Sequence, residues 1–433
     1  MTKPNRLQAA LERGLSPEGD LYEELDELGE YEIASVADAE ALVLGLAEFV
    51  KRPVDHDETF SAFSELTRLF QSVTSAEAFR YLSLRGIPLL IEAYDARLID
   101  SGEYESDLLF ALKIFARYGT EEALDRIVDA AFNAGLSDGY LWSVIFEQLG
   151  DSDPSIPNLI SRLSNPLPDG FVCVSFLDWL NRLAREGVIS SHPFNTVDGC
   201  DRLRRWLASS REDDYSFAHS ATAALPFITD PPRSELLALA MDHPDIGVQM
   251  EAAWASGRLG SDAGVKFLAR LCLDRNLSIR ARTYLEDLDR EDAIPEEADD
   301  PDFVAMAEMC DWLSHPQEFG HPPDEIELYD TREMFWPPTN DWRPLWLFKY
   351  RYRATEEDDV EEVGLGMTGS ITFALFDETN VNMSPEDAYA LHCCWELETN
   401  DDPRAPTERT IEAGRSLLEE AQREHFDDDD DDF

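Results

Sequence analysis

The sequence predicts a mainly α protein: an α-solenoid followed by a small α+β C-terminal domain with an antiparallel sheet. Three observations lead there. Apolar residues recur at helical spacing through the first 290 or so residues, as in Leu108, Leu109, Leu112, Ile114 and Phe115. Three successive segments between 214 and 288 align when the chain is offset by 31 residues. From residue 335 on aromatic residues crowd together, and over 345–353 the period changes to two.

With 433 residues, 43% of them hydrophobic, the chain is long enough for two or three cores. The expected division is a solenoid over 1–292, an acidic linker over 293–302, an α+β domain over 303–400, and a helix with an acidic tail over 401–433. In the first part, helices are expected at 38–50, 58–73, 76–98, 106–118, 121–134, 140–149, 155–163 and 171–186. Proline and glycine punctuate their joins, as at 150–157 and 165–170.

The repeats come next. Phe217, Val248 and Ile279 coincide, as do Ala221, Ala252 and Thr283, and then Asp214, Asp245 and Asn276. Each unit is expected to hold two short amphipathic helices, the first at 234–241 and 263–273 and the second at 217–228, 248–259 and 279–288. Small residues such as Ala252, Ala253 and Ala255 let neighbouring helices approach closely, and Gly260 suits a helix C-cap. One such unit cannot bury its apolar face alone, so stacked units share a core.

The stretch His243-Pro-Asp-Ile-Gly-Val-Gln-Met-Glu-Ala-Ala-Trp-Ala-Ser-Gly-Arg-Leu-Gly260 resembles a HEAT repeat of the short, roughly 30-residue kind also found in phycobilisome-lyase-like proteins. Asp274-Arg-Asn-Leu-Ser-Ile-Arg280 continues the match, which covers 214–288, about a sixth of the chain. The resemblance implies that Asp245 and Asn276 sit at inter-helix turns and that Val248 and Ile279 are buried. The family's basic residue is present as Arg280, but Gln249 replaces it one repeat earlier. Thr283, Tyr284 and Glu286 replace the small residues of the last repeat, as in a capping unit.

Beyond 302, a helix is expected at 303–314. In 345–353, Trp346, Phe348, Tyr350 and Tyr352 fall on one face and Leu345, Leu347, Lys349, Arg351 and Arg353 on the other, which predicts a half-buried strand. A second strand or pair is expected within 362–376, joined to the first by the acidic loop 355–362. Ser384-Pro385-Glu386-Asp387 starts a further helix, with serine as N-cap and proline at the first turn. A last helix at 407–425 leads into Asp427 to Asp432, a self-repelling run expected to be disordered.

Charge narrows the function classes. Ninety acids face 36 bases, a net charge of −54. The excess is uneven: −20 over 1–200, −2 over 201–290 and −32 over 291–433. Such a field repels phosphate backbones and anionic bilayers, so neither nucleic acid nor membrane is an expected partner. The near-neutral middle argues against general salt adaptation, whereas the scarcity of lysine, five against 31 arginines, argues for it. No apolar leader, long apolar run or CxxC pair occurs, and the cytoplasm is the expected compartment.

Chemistry-bearing motifs are weak. Gly364-Leu-Gly366-Met-Thr-Gly369 matches GxGxxG, but no helix is expected after it to receive a phosphate, so a bent strand is the better reading. Gly135-Leu-Ser137-Asp-Gly139 lies between two expected helices rather than on a nucleophile elbow. His392-Cys393-Cys394-Trp395 suits buried packing, since Glu396 and Glu398 would raise a thiol pKa. His315 and His321 are the only near pair of histidines and make a poor metal motif.

No catalytic, cofactor or metal residue is therefore expected, and no cofactor. Arg202, Arg204, Arg205 and Arg211 are the candidate partner-binding residues, a basic patch set among acids. The expected function is a non-enzymatic protein–protein interaction or scaffold role for the solenoid surface, with a protein partner of basic character. One alternative is an acidic antagonist that occupies a basic nucleic-acid-binding site on its partner. The other is a lyase-like chaperone or enzyme acting on a bound ligand, an analogy of fold alone.

Overall fold

A computed structural model of the chain describes residues 6–54, 58–98, 105–150, 155–354, 361–375 and 380–426. The expectations for Asp427 to Asp432, and for most of the acidic loop 355–362, lie outside the described residues. The fold is mainly α with a C-terminal four-stranded antiparallel sheet, and it divides into two compact units, Met1–Ala252 and Ala253–Phe433.

The first unit opens with α1 (Arg6–Gly14), α2 (Leu21–Asp26), α3 (Val36–Phe49), α4 (Glu58–Gln71) and α5 (Ala76–Arg85). There follow α6 (Ile87–Arg97), α7 (Glu105–Tyr118), α8 (Glu121–Ala131), α9 (Trp142–Glu147) and α10 (Ile156–Ser164). The series continues with α11 (Phe171–Arg185), α12 (Val197–Leu207), α13 (Tyr215–Ala223) and α14 (Pro232–Met241). The division between units falls inside α15 (Ile246–Arg258), not at the acidic stretch 293–302.

Side-chain caps fix several helix starts. Ser35 and Asp38 form a reciprocal capping box at α3, while Ser75, Thr120 and Thr196 cap α5, α8 and α12. The single helix expected over 76–98 is two. Gly86 and Pro88 break it: proline has no N–H for the preceding turn, and a Cβ on Gly86 would lie 2.8 Å from the Phe70 ring.

Packing follows two rows. One row runs α1, α3, α5 with α6, then α8 and α10, while the other runs α2, α4, α7, α9, α11 and α13, each helix resting on the next of its row. Later in the chain α12 packs on both α13 and α14. Polar bonds bridge successive turns of the stack. Arg126 on α8 grips Asp95 on α6 through two bonds of 2.7 Å, Arg162 on α10 reaches Asp125 on α8 at 2.6 Å, and Asn181 on α11 donates to the Ser220 carbonyl of α13 at 2.9 Å.

The repeat positions are not equivalent. Asp245 accepts from the Val248 N–H at 2.9 Å and so starts α15, with Val248 and Ala252 fully buried. Ile279 is only half-buried and Thr283 is exposed, which departs from the burial the resemblance implies at Ile279.

The second unit holds the end of α15, then α16 (Asp262–Leu271), α17 (Ser278–Asp287) and α18 (Pro301–Leu313). Trp254 on α15 donates its indole N–H to Asp287 on α17 at 2.6 Å. The stretch expected as a linker is packed chain: Ala298 is fully buried, and Arg282 holds the Ala298 carbonyl and, at 2.8 Å, Asp299.

Strands β1 (Glu325–Trp336), β2 (Asp341–Tyr352), β3 (Glu362–Thr368) and β4 (Phe373–Leu375) pair in that order, all antiparallel. Helices α19 (Pro385–Thr399) and α20 (Ile411–Phe426) complete the unit. The GxGxxG stretch is β3, and Gly366 lets Met309 of α18 approach, since a Cβ there would lie 2.6 Å from its sulfur.

Residues 345–348 of β2 are not half-buried. Phe348, Tyr350 and Tyr352 pack with Met309 and Leu313 of α18, while Leu345 and Leu347 pack with Tyr389 and Cys393 of α19. The sheet thus lies between two helical layers, and within 345–351 only Lys349 and Arg351 on the α19 side avoid full burial. β1 has no counterpart among the expected strands.

Helix α20 is seated on α19 at Gly414, where a Cβ would come within 2.0 Å of the Ala390 carbonyl oxygen. Gly414→Ala is therefore expected to destabilise the protein by about 1–3 kcal/mol through overpacking. Helix propensity alone would give the opposite sign, a gain of about 1 kcal/mol. Urea unfolding followed by circular dichroism separates the two.

Candidate functional site

The four arginines expected to form a basic patch are largely consumed by their own fold. Arg202 is mostly buried; it donates to the carbonyls of Pro168 at 2.6 Å and Leu167 at 3.4 Å and lies 2.8 Å from Asp169, fastening the 165–170 loop to α12. Arg204 lies between Asp201 and Glu235, 2.7 Å from the latter, and these carboxylates hold its guanidinium firmly charged. Arg211 sits 3.4 Å from Asp213 and 3.9 Å from Asp214. Arg205 is exposed and, among the described residues, makes no ion pair. Among the described residues the patch is ion-paired, with Arg205 its one cation outside an ion pair.

A different group comes together on the second row of the same unit. Helix α11 is buried almost all round; Asp178, Arg182 and Arg185 form most of its narrow solvent-facing stripe. Glu251 of α15 is 3% exposed and lies 3.7 Å from His219 of α13 and 4.0 Å from Arg185. Asp178 keeps a side open to water, yet protein crowds it closely enough that lost hydration raises its carboxyl to about 6. A hydrogen bond from Ser220 opposes the rise, and the Glu251 charge adds to it. Nearby, His192 is stacked on Phe227 and bonded at 3.1 Å to Asn181, and burial lowers it to about 4.

This seam of two carboxylates, two arginines and a histidine draws on α11 and α13 of that row and on α15, whose buried Glu251 reaches both. It can engage a partner by charge and hydrogen bonding. The sequence held two signals for it: Asp178 is the sole acid of α11, and Glu251 the sole charge within 248–255.

The second unit contains a groove of about 580 Å³ between β1, α19 and α20. Met334, Tyr389 and Leu418 give it an apolar floor, and Arg332, Arg415 and Arg423 stand at its rim. Each of these arginines has an acid beside it. Arg332 bonds Asp330 and Glu386 at 2.6 Å each, Arg415 pairs with Asp387, and Arg423 lies 3.6 Å from Glu419.

The remaining motifs lie in turns and in a packed helix. Ser137 of the GxSxG stretch lies in a turn, and its carbonyl accepts from the Val172 N–H at 2.8 Å. Cys393 and Cys394 are buried in α19 and their thiols are pushed up by burial, while buried His392 is held well below its ordinary value. His315 accepts from the Gln317 N–H at 3.3 Å, whereas the ring of His321 lies edge-on to Tyr352. Among the described residues, no group of three or more His, Cys, Asp or Glu side chains is placed to hold a metal ion, and no helix is long and apolar enough to cross a membrane.

The raised Asp178 carboxyl carries a sign. In the unfolded chain an aspartate titrates near about 3.9, so the folded state binds the extra proton between there and about 6. Its contribution is unfavourable above that window and absent below it. Asp178→Asn is therefore expected to raise the melting temperature at pH 7.5 and to flatten its pH dependence between about 4 and 6. Parallel melting curves for the two proteins across that range would show an unperturbed carboxyl.

No family model matches this chain, and no curated protein or solved structure is significantly similar to it.

Proposed function

We propose that this chain is a non-enzymatic interaction protein, and that its first unit is a HEAT-like α-solenoid whose second helix row carries the partner surface. The observation that supports the reading best is the seam of Asp178, Arg182, Arg185, His219 and Glu251. Successive helices of a stack each add a few polar groups to one continuous face, which is how repeat architectures bind extended partners. With a net charge of −20 over residues 1–200, the unit steers basic partners toward itself.

An acidic-antagonist reading has an observation of its own. In residues 291–433 all eight arginines pair with acids of the same unit, as in Arg343 with Asp341, Arg351 with Glu325 and Glu361, and Arg404 with Asp402. The surplus acid is left facing outward, as in a surface that imitates a polyanion.

Affinity capture from host lysate, with the bound proteins identified and cross-linked to the bait, tests both. The solenoid reading predicts a partner whose cross-links map to α11 and α13 and whose retention falls at least tenfold with Asp178→Arg. A partner unaffected by that substitution but displaced by duplex DNA transfers the function to the acidic unit. Absence of a reproducible partner at low and high salt contradicts both readings.

A further inference from the structure

The order β1-β2-β3-β4 leaves β1 at the edge of the sheet, with no described strand beyond it. Which of its backbone groups face outward follows from the register. Glu333 lies opposite Pro344, and proline has no N–H to give. That pair is therefore one of the non-hydrogen-bonded kind, flanked by widely spaced cross-strand bonds. By the alternation of an antiparallel ladder, Thr331, Glu333 and Phe335 all direct their N–H and C=O groups away from β2. The Phe335 carbonyl accordingly accepts from Gln422 of α20 at 2.9 Å, and Gln422 lines the 580 Å³ groove. The groove thus adjoins the edge, where among the described residues the outward backbone groups of Thr331 and Glu333 make no hydrogen bond.

Edge strands are commonly blunted by charge and by bulges, and β1 has both. Its register shifts between Leu328 and Asp330, so the regular edge is confined to 330–336. Beside that edge lies a pocket floored by Met334, Tyr389 and Leu418. An open ladder next to an apolar pocket is the arrangement by which a sheet takes on one further strand. Main-chain bonds supply affinity, and alternate side chains supply selectivity.

We propose that the β1 edge is a docking site for an extended, basic segment of a partner protein, which adds as a fifth strand along residues 330–334 and sets an apolar side chain into the groove. Charge selects this occupant. Within 330–336 the strand carries Asp330 and Glu333 against Arg332; Arg332 is already matched by Asp330 and Glu386 and the other rim arginines by their own acids, so among the described residues Glu333 is the carboxylate of this edge left without an ion pair. A cross-strand lysine or arginine satisfies it. A second copy of the chain would set acid against acid, in a region of net charge −32. The site is separate from the seam on the first unit and does not depend on it.

Three end-blocked heptapeptides test this on the full chain: lysine alternating with valine, glutamate alternating with valine, and the lysine peptide with a central proline. The lysine–valine peptide is expected to bind and to slow amide exchange at Thr331 and Glu333 at least tenfold; the other two are not. Glu333→Pro removes one outward donor but no bond to β2, a position where an edge strand tolerates proline. It should keep the fold and lose at least tenfold in affinity. Glu333→Lys, which leaves the backbone intact, should weaken the lysine peptide and strengthen the glutamate one. Undiminished binding by both variants, protection elsewhere on the chain, or no binding of the lysine peptide at millimolar concentration overturns the proposal. So does a concentration-dependent dimer that Glu333→Pro abolishes, which assigns the edge to a second copy.

Discussion

The first unit depends on one constraint: its short helices cannot bury their apolar faces within a single helix pair. Helix α8, eleven residues long, buries Ala123, Leu124, Ile127 and Val128 only because α6, α7 and α10 lie against it. Stability in such a stack is a sum of neighbour contacts. The bonds Arg126–Asp95 and Arg162–Asp125 link a helix to the next of its row, as that constraint requires. The same constraint leaves each row with a continuous outward face. Asp178 of α11 and His219 of α13 lie along one of these, beside the buried Glu251 of α15.

In the second unit the sheet plays the organising part. β2 serves two cores at once, with Phe348 and Tyr350 toward α18 and Leu345 and Leu347 toward α19. Glu396 of α19 is buried and takes hydrogen bonds from the Trp336 indole at 2.7 Å and the Ser370 hydroxyl at 2.6 Å, which ties that helix to the end of β1 and to the turn after β3. Acids are thus used inside the unit as well as on its surface, and the arginines of 291–433 are spent in pairing with the surface acids.

Much of this was legible. Helical periodicity, Ser384 as a cap and the alternation in 345–353 each depend on neighbours in sequence, and those neighbours suffice. What depends on distant partners was not. Arg204 looks free until Glu235, 31 residues on, is brought beside it. β1 alternates charged with apolar side chains, but its Asp, Thr and Arg interrupt the apolar set at the bulge, so the strand signal dissolves there. Gly86 and Pro88 did mark the break between α5 and α6, and the apolar run around them masked it. Leu345 and Leu347 sit on the face with Lys349 and Arg351, and only the arrival of α19 shows that half of it is core.

Native-state hydrogen exchange on Leu203→Ala tests the central claim, neighbour-by-neighbour stability in the first unit, most directly. Leu203 is fully buried in α12, and the substitution costs about 2–5 kcal/mol. The account predicts protection lost in α12, α13 and α14 while the amides of α1 to α4 exchange as before. Equal loss through the whole unit would mean one cooperative core, and would contradict a stack of repeats.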